Sequence, residues 1–151
     1  MAEMRMKTRI CFDMDGTIAN LYGVDGWLDM IIARDATPYA KAGTLINMSA
    51  LARVLNNLRK RGYEVGIISW LAKNSTAEYD EAVTTAKIKW LHKHLKSVCF
   101  DFVEVVAYGT DKNIVRRTEN DILFDDEIGN REQWGGQAHD VDHIIETLKS
   151  L

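Results

Sequence analysis

An α/β fold with a mainly parallel central sheet is predicted by three features of this sequence. Short apolar runs rich in β-branched residues alternate with longer stretches of helical period. Each of the four clearest runs is followed, at once or after a short turn, by a residue suited to binding an ion. Finally, 151 residues suffice for one substantial core but not for a second large domain, so residues 1–151 are read as one domain.

The first run, Arg9-Ile10-Cys11-Phe12, stops at Asp13, and its apolar character suits a strand covered on both faces. The next segment departs from the alternation. Residues 20–44 put about 25 residues where a strand-to-helix connection ordinarily takes two to six. Within it Trp27, Leu28, Ile31 and Ile32 recur at helical spacing before Pro38 and Gly43 break the pattern, so 24–33 is expected to form a small helical cap beside the strand ends. A crossover helix is expected over 48–60, with Leu51, Val54, Leu55 and Leu58 on one face, Asn47 or Ser49 as cap and Gly62 as stop. The second strand, 64–68, leads into Ser69, and a long helix over 76–95 carries Val83, Ala86, Trp90 and Leu91. The third strand, 102–107, precedes a turn at Gly109 and a helix expected over 111–117. The fourth, 121–124, ends at Asp125, and a last helix over 140–151 presents Val141, Ile144, Ile145 and Leu148 on one face.

Nineteen Lys and Arg against 22 Asp and Glu give a formal charge of -3, which carries no signal for coating nucleic acid or for polybasic attachment to membranes. An anionic ligand must therefore be held by local chemistry. No apolar stretch approaches the roughly 18 residues needed to span a bilayer, and the opening MAEMRMKTRI lacks the apolar core of a secretory signal. The expected compartment is the cytoplasm. Cys11 and Cys99 have no partner at metal-ligand spacing and read as buried reduced thiols.

In open α/β sheets the ligand crevice lies beyond the carboxyl ends of the strands, so the residues that follow the four runs are expected to converge. Asp13 and Asp15 stand two apart at the end of a central strand, where uncompensated carboxylates are costly to desolvate. A divalent cation is their natural partner. Asp13 then serves as metal ligand and nucleophile, while Asp15 protonates a leaving alkoxide and later deprotonates water. Gly16 permits unusual dihedrals, and N–H groups of that turn are expected to bind phosphate oxygens. Ser69 offers a hydroxyl to a phosphoryl oxygen. Lys112, at the start of the helix expected over 111–117, adds an ammonium. Asp125-Asp126 completes an all-oxygen acidic site suited to Mg²⁺.

The order Asp13-Met14-Asp15-Gly16-Thr17, apolar-Ser69, Lys112, apolar-Asp125-Asp126 resembles the haloacid dehalogenase (HAD) superfamily of phosphotransferases, and these elements cover most of the chain. The resemblance implies a three-layer α/β/α Rossmann-like HAD fold with a short helical cap. It implies an Mg²⁺-dependent phosphoric monoester hydrolase in which Asp13 forms an aspartyl-phosphate and Asp15 is the acid/base. Gly16, Thr17, Ser69, Trp70 and Lys112 would hold the phosphoryl group. The Asp13 carboxylate, the Asp15 carbonyl and Asp125 or Asp126 would hold the metal. A receiver domain shares the residue types, but its phosphorylated aspartate follows a later strand and its lysine comes last, whereas Lys112 precedes the second acid pair.

The early DMDGT and the late apolar-DD are similar to those of 5′(3′)-deoxyribonucleotidase-like members with small caps, which makes a nucleotide the first expectation for the small phosphorylated substrate. Sugar phosphates and polynucleotide ends come next, and a non-catalytic phosphate-binding module of the same fold is the alternative of another class. Asn20, Tyr22, Trp27, Tyr39 and Trp70 are candidates to touch the leaving group, with Trp27 and Tyr39 equally suited to packing the cap. Arg131-Glu132-Gln133-Trp134 offers either a cation and an aromatic face for a base or a surface loop with an aromatic anchor. So short a cap leaves the cleft open unless a partner subunit, such as a second copy of the chain, covers it.

Overall fold

The computed structural model describes residues 6–151; the first five residues, which open the segment read above for a secretory signal, lie outside it. Strand β1 (Arg9–Phe12) is central, as its apolar run requires. On one side it pairs with β4 (Glu64–Trp70), which pairs with β5 (Phe102–Val106); on the other it pairs with β6 (Ile122–Phe124), which pairs with the edge strand β7 (Gln137–His139). All four pairings are parallel, with Phe12 opposite both Ile67 and Phe124. The carboxyl ends of the strands therefore share one edge of the sheet.

Alternation along the strands feeds two cores. Ile10, Phe12, Val65, Ile67, Ile122 and Phe124 join the larger cluster with Leu51, Leu55 and Leu58 of α3 (Met48–Lys60) and with Ile144 and Leu148 of α6 (Ile144–Lys149). Cys11, Ile68 and Leu123 point the other way, onto Val115 and onto Trp134 of α5 (Ile128–Trp134). Helix α3 has the expected limits; the Asn47 side chain accepts from the Ala50 N–H at 3.0 Å, and Gly62 leaves at φ +100°. Helix α4 (Ala77–His94) has two jobs: Trp90 and Leu91 join the large core, while Tyr79, Val83 and Ala86 receive the cap.

Several expectations are corrected. Strand β4 runs through Ser69 to Trp70, because Val105 and Val106 of β5 continue the ladder opposite them. The helix expected over 111–117 is a single 3-10 turn, Lys112–Val115. The last helix opens with a 3-10 turn, Val141–His143. Residues 131–134 belong to a helix, not a loop, and Cys99 is exposed. The insertion holds two short helices, α1 (Trp27–Ile32) and α2 (Thr37–Lys41), over an antiparallel ribbon of β2 (Ala19–Asn20) and β3 (Gly43–Thr44). Pro38 opens α2, where its missing N–H costs nothing. Among the described residues no helix is long and apolar enough to cross a membrane.

Candidate active site

Where β1 ends, the Asp13 N–H still donates to the Phe124 carbonyl at 2.9 Å, so the carboxylate leaves the sheet at a fixed height. The chain then turns tightly: the N–H groups of Thr17, Ile18 and Ala19 all reach the Met14 carbonyl, and the Gly16 N–H donates to Ala19. Gly16 sits at φ +83°, and a β-carbon there would collide with the Asp126 carboxylate. Conformation and space both demand glycine. The expected use of the Gly16 N–H on phosphate is corrected, since that group closes the turn. Thr17 is fully buried and donates its hydroxyl to Asp13 Oδ2 at 2.9 Å, so it acts through the carboxylate.

Lys112 crosses from the 3-10 turn after β5 and donates to Asp13 Oδ1 and to Asp125 Oδ2, each at 2.7 Å. Two of its three N–H groups are used, which leaves one for a substrate oxygen. Burial works against this ammonium, but Asp13 and Asp125 more than reverse it and raise its pKa above the ordinary lysine value. Asp125, at the end of β6, is fully buried; it also accepts from Asn130 Nδ2 at 3.1 Å and the Glu127 N–H at 2.9 Å. Arg131 donates to the Asp125 carbonyl at 2.9 Å, so its guanidinium is committed to this loop. Trp134 is buried with its indole N–H on the Asp121 carbonyl at 3.0 Å, which makes 131–134 an anchor.

One oxygen from each of Asp13, Asp125 and Asp126 lies within 4.8 Å of the others. Burial, and then the Asp13 charge beside it, pushes the Asp126 carboxyl up to about 8; burial and Asp13 also raise Asp125. With all three ionised, the carboxylates exceed the single Lys112 ammonium by two negative charges, which one divalent cation would cancel. All the side-chain donors are oxygens, the preference of Mg²⁺, so the residues fit that ion.

Sequence reasoning missed Lys87. It projects from α4 with its side chain 1% exposed, and its ammonium donates to Asp15 Oδ2 at 2.8 Å, Ser69 Oγ at 2.6 Å and the Trp70 carbonyl at 2.9 Å. All three of its N–H groups are spent, so it is a positioning residue and Lys112 the one with a donor to spare. Because Ser69 accepts from Lys87, its own hydroxyl hydrogen is free. The signal was present: Lys87 lies four residues after Val83 and four before Leu91, on the apolar stripe.

Trp70 gives its indole N–H to the Thr110 carbonyl at 2.8 Å, so its side chain offers the site a ring face and no donor. The ring lies 5.3 Å from Lys112 Nζ. Tyr39 is buried against α4, with Lys87 Nζ 5.1 Å from its ring, and it lines the cleft together with Tyr22 and Trp27, whereas Asn20 does not. Asp13, Asp15, Lys112, Asp125 and Asp126 share one cavity of about 450 Å³, so residues from β1, β6 and the turn after β5 converge as topology predicts. Ser69, completely buried, lies behind this wall and reaches it through Lys87 and Asp15.

The chain matches no protein-family model and no curated protein sequence. Its fold is similar to the crystal structure of D,D-heptose 1,7-bisphosphate phosphatase from Burkholderia thailandensis, with a TM-score of 0.60 over 95% of this chain and 97% of that one, at 13% identity. A likeness at that identity speaks for the fold: a central parallel sheet flanked by helices, shared with a phosphatase.

Proposed function

We propose that this chain is an Mg²⁺-dependent phosphomonoesterase of the HAD superfamily, acting on a nucleotide or another small phosphate monoester. The observation that carries the reading is the cluster of Asp13, Asp125 and the half-buried Asp126 at the carboxyl edge of a parallel sheet, with Lys112 bridging the two buried carboxylates. Asp13, Asp125 and Asp126 would hold the metal, with the Asp15 carbonyl. When bound, the ion offsets the repulsion between a phosphate dianion and these carboxylates and stabilises charge on the transferring oxygens.

The chain's own groups account for the chemistry in two steps. The Thr17 hydroxyl and the Lys112 ammonium fix both Asp13 oxygens, which presents the carboxylate as nucleophile. Attack forms a bond from Asp13 to phosphorus while the ester P–O bond breaks, its electron pair leaving on the alkoxide. Asp15 supplies the proton that the alkoxide takes up. In the second step Asp15 removes a proton from water, which displaces Asp13 from phosphorus and restores both carboxyl groups. Lys87 holds Asp15 Oδ2, leaving Oδ1 without a side-chain partner and available for both transfers. The remaining N–H of Lys112 serves the transferring oxygens, where preorganised charge counts most.

A sugar phosphate is the second reading, favoured by the structural neighbour, whose name specifies a heptose bisphosphate. Purified protein with Mg²⁺ is expected to release phosphate from at least one member of a panel of nucleotides, sugar phosphates and phosphorylated oligonucleotides, and to stop when the metal is chelated. Release from none would leave a phosphate-binding module; unchanged release in excess chelator would remove the metal.

A further inference from the structure

The cavity that holds the acidic cluster is also a slot lined by two groups of apolar side chains. Tyr22, Trp27, Leu28 and Ile32 of the insertion form one, and Trp70 and Tyr108 contribute to the other. Tyr22 and Trp27 meet edge to face at 4.9 Å, and the Trp70 and Tyr108 rings lie 5.0 Å apart. Tyr22, Leu28, Ile32 and Tyr108 are each 51–68% exposed. Single exposed apolar side chains are ordinary, but four around one cleft mark a ligand surface.

The slot is preformed rather than made by a closing lid. Leu21 and Tyr39 of the insertion are buried against Tyr79, Val83 and Ala86. The Tyr79 hydroxyl donates to the Asp35 carbonyl at 3.0 Å, and Arg34 donates to the Asn74 carbonyl at 3.1 Å, tying the insertion to the loop after β4. Outside the acidic cluster the charged groups lining the cavity are Lys73 and Glu127. The Lys73 ammonium lies 5.9 Å from the Tyr108 ring, placing a cation beside an aromatic face. A polyol chain entering here would lose water against Leu28 and Ile32, which offer it no side-chain hydrogen bonds. A flat ring would instead gain contact from aromatic and aliphatic walls.

We propose that this slot is a leaving-group subsite for a flat aromatic moiety, so that phosphate monoesters carrying an aromatic ring are taken in preference to polyol phosphates. The proposal rests on the phosphatase reading above and adds the class of leaving group. Such a ring has two sources: it is attached through a single carbon, or it is a base held one sugar away.

Three esters that all expel an alkoxide separate these cases: benzyl phosphate, a nucleoside 5′-monophosphate and ribose 5-phosphate, each assayed with the full chain and Mg²⁺. One or both ring-bearing esters are expected to exceed ribose 5-phosphate by about tenfold in kcat/KM, the scale of one good aromatic contact. The better of the two identifies the source. Tyr108→Ala and Tyr22→Ala are each expected to shrink that ratio severalfold. Equal kcat/KM for all three esters, or a ratio that neither substitution moves, overturns the subsite and leaves the phosphatase reading standing. No turnover of any ester removes both.

Discussion

Strand β6 has an aspartate at each end, and the two are handled in opposite ways. Asp121, just before the strand, accepts four hydrogen bonds: from the N–H groups of Arg9, Arg117 and Thr118 and from the Thr118 hydroxyl, at 2.6–3.0 Å. Arg9 carries the compensation further, through Glu64 at 3.1 Å, the Val115 carbonyl at 3.0 Å and the Phe102 ring at 4.3 Å. Burial pushes the Asp121 carboxyl up, yet those bonds win and hold it below the usual aspartate value. Asp126, two residues past the other end, is raised to about 8 by burial and by Asp13. One end of the sheet is electrostatically finished, whereas the other holds like charges together and has room for a cation and a phosphate. Such an imbalance is what the proposed phosphatase chemistry calls for at this end of the sheet.

The sharpest way to break the contrast is Asp13→Asn. Turnover is expected to fall about a thousandfold or more, since the proposed nucleophile is lost, while the fold is kept because the amide oxygen of the new side chain still accepts from Thr17 or Lys112. Phosphate release by the variant close to wild type would remove Asp13 from the chemistry; loss of the circular-dichroism spectrum would make it structural.

Next in size is the same substitution made at both ends of β6. Asp121→Asn is expected to cost about 2 kcal/mol, because four donors then face an amide that accepts at one atom only. Asp126→Asn is expected to cost nothing or to stabilise by about 1 kcal/mol, because it relieves repulsion from Asp13, while lowering activity. Urea midpoints of the metal-free proteins check both. Equal losses would mean that the two ends do not differ as described.

One side of this contrast was legible in the sequence. The central strand, the crossover helix with a cap at Asn47 or Ser49, and the Asp13, Lys112 and Asp125-Asp126 cluster could be read because apolar runs and abrupt charges mark buried strands and their ends. Strand β7 could not, since Gln137-Ala138-His139 is a three-residue edge strand after two glycines and carries no apolar period. The helix expected over 111–117 shrank to a turn, as Arg116 is already extended with its guanidinium on the Trp134 carbonyl and the Arg117 N–H is given to Asp121. Lys87 was hidden because a lone lysine in a helix ordinarily reads as solvated, and only the fold reveals that Ser69 and Asp15 meet it. Spacing shows which residues reach the carboxyl edge, but not how they divide their hydrogen bonds.

The smallest expected effect is acid sensitivity from the finished end. A carboxyl held below its unfolded pKa contributes stability that is fully present above the unfolded value of about 3.9 and is lost as pH falls through the folded value. Between those two values the unfolded state binds more protons, so stability rises with pH there. Wild-type protein is therefore expected to lose stability below about pH 4 faster than Asp121→Asn does, by about 1 kcal/mol between pH 5 and pH 3. The slope does not vanish in the variant, because burial at Asp101 is likewise outweighed by Arg59 and the Val65 N–H, which lower that carboxyl too. Urea midpoints of both proteins at pH 5 and pH 3 decide the matter. Parallel losses would place the acid response elsewhere, and Asp121 would then be well bonded without being a source of stability.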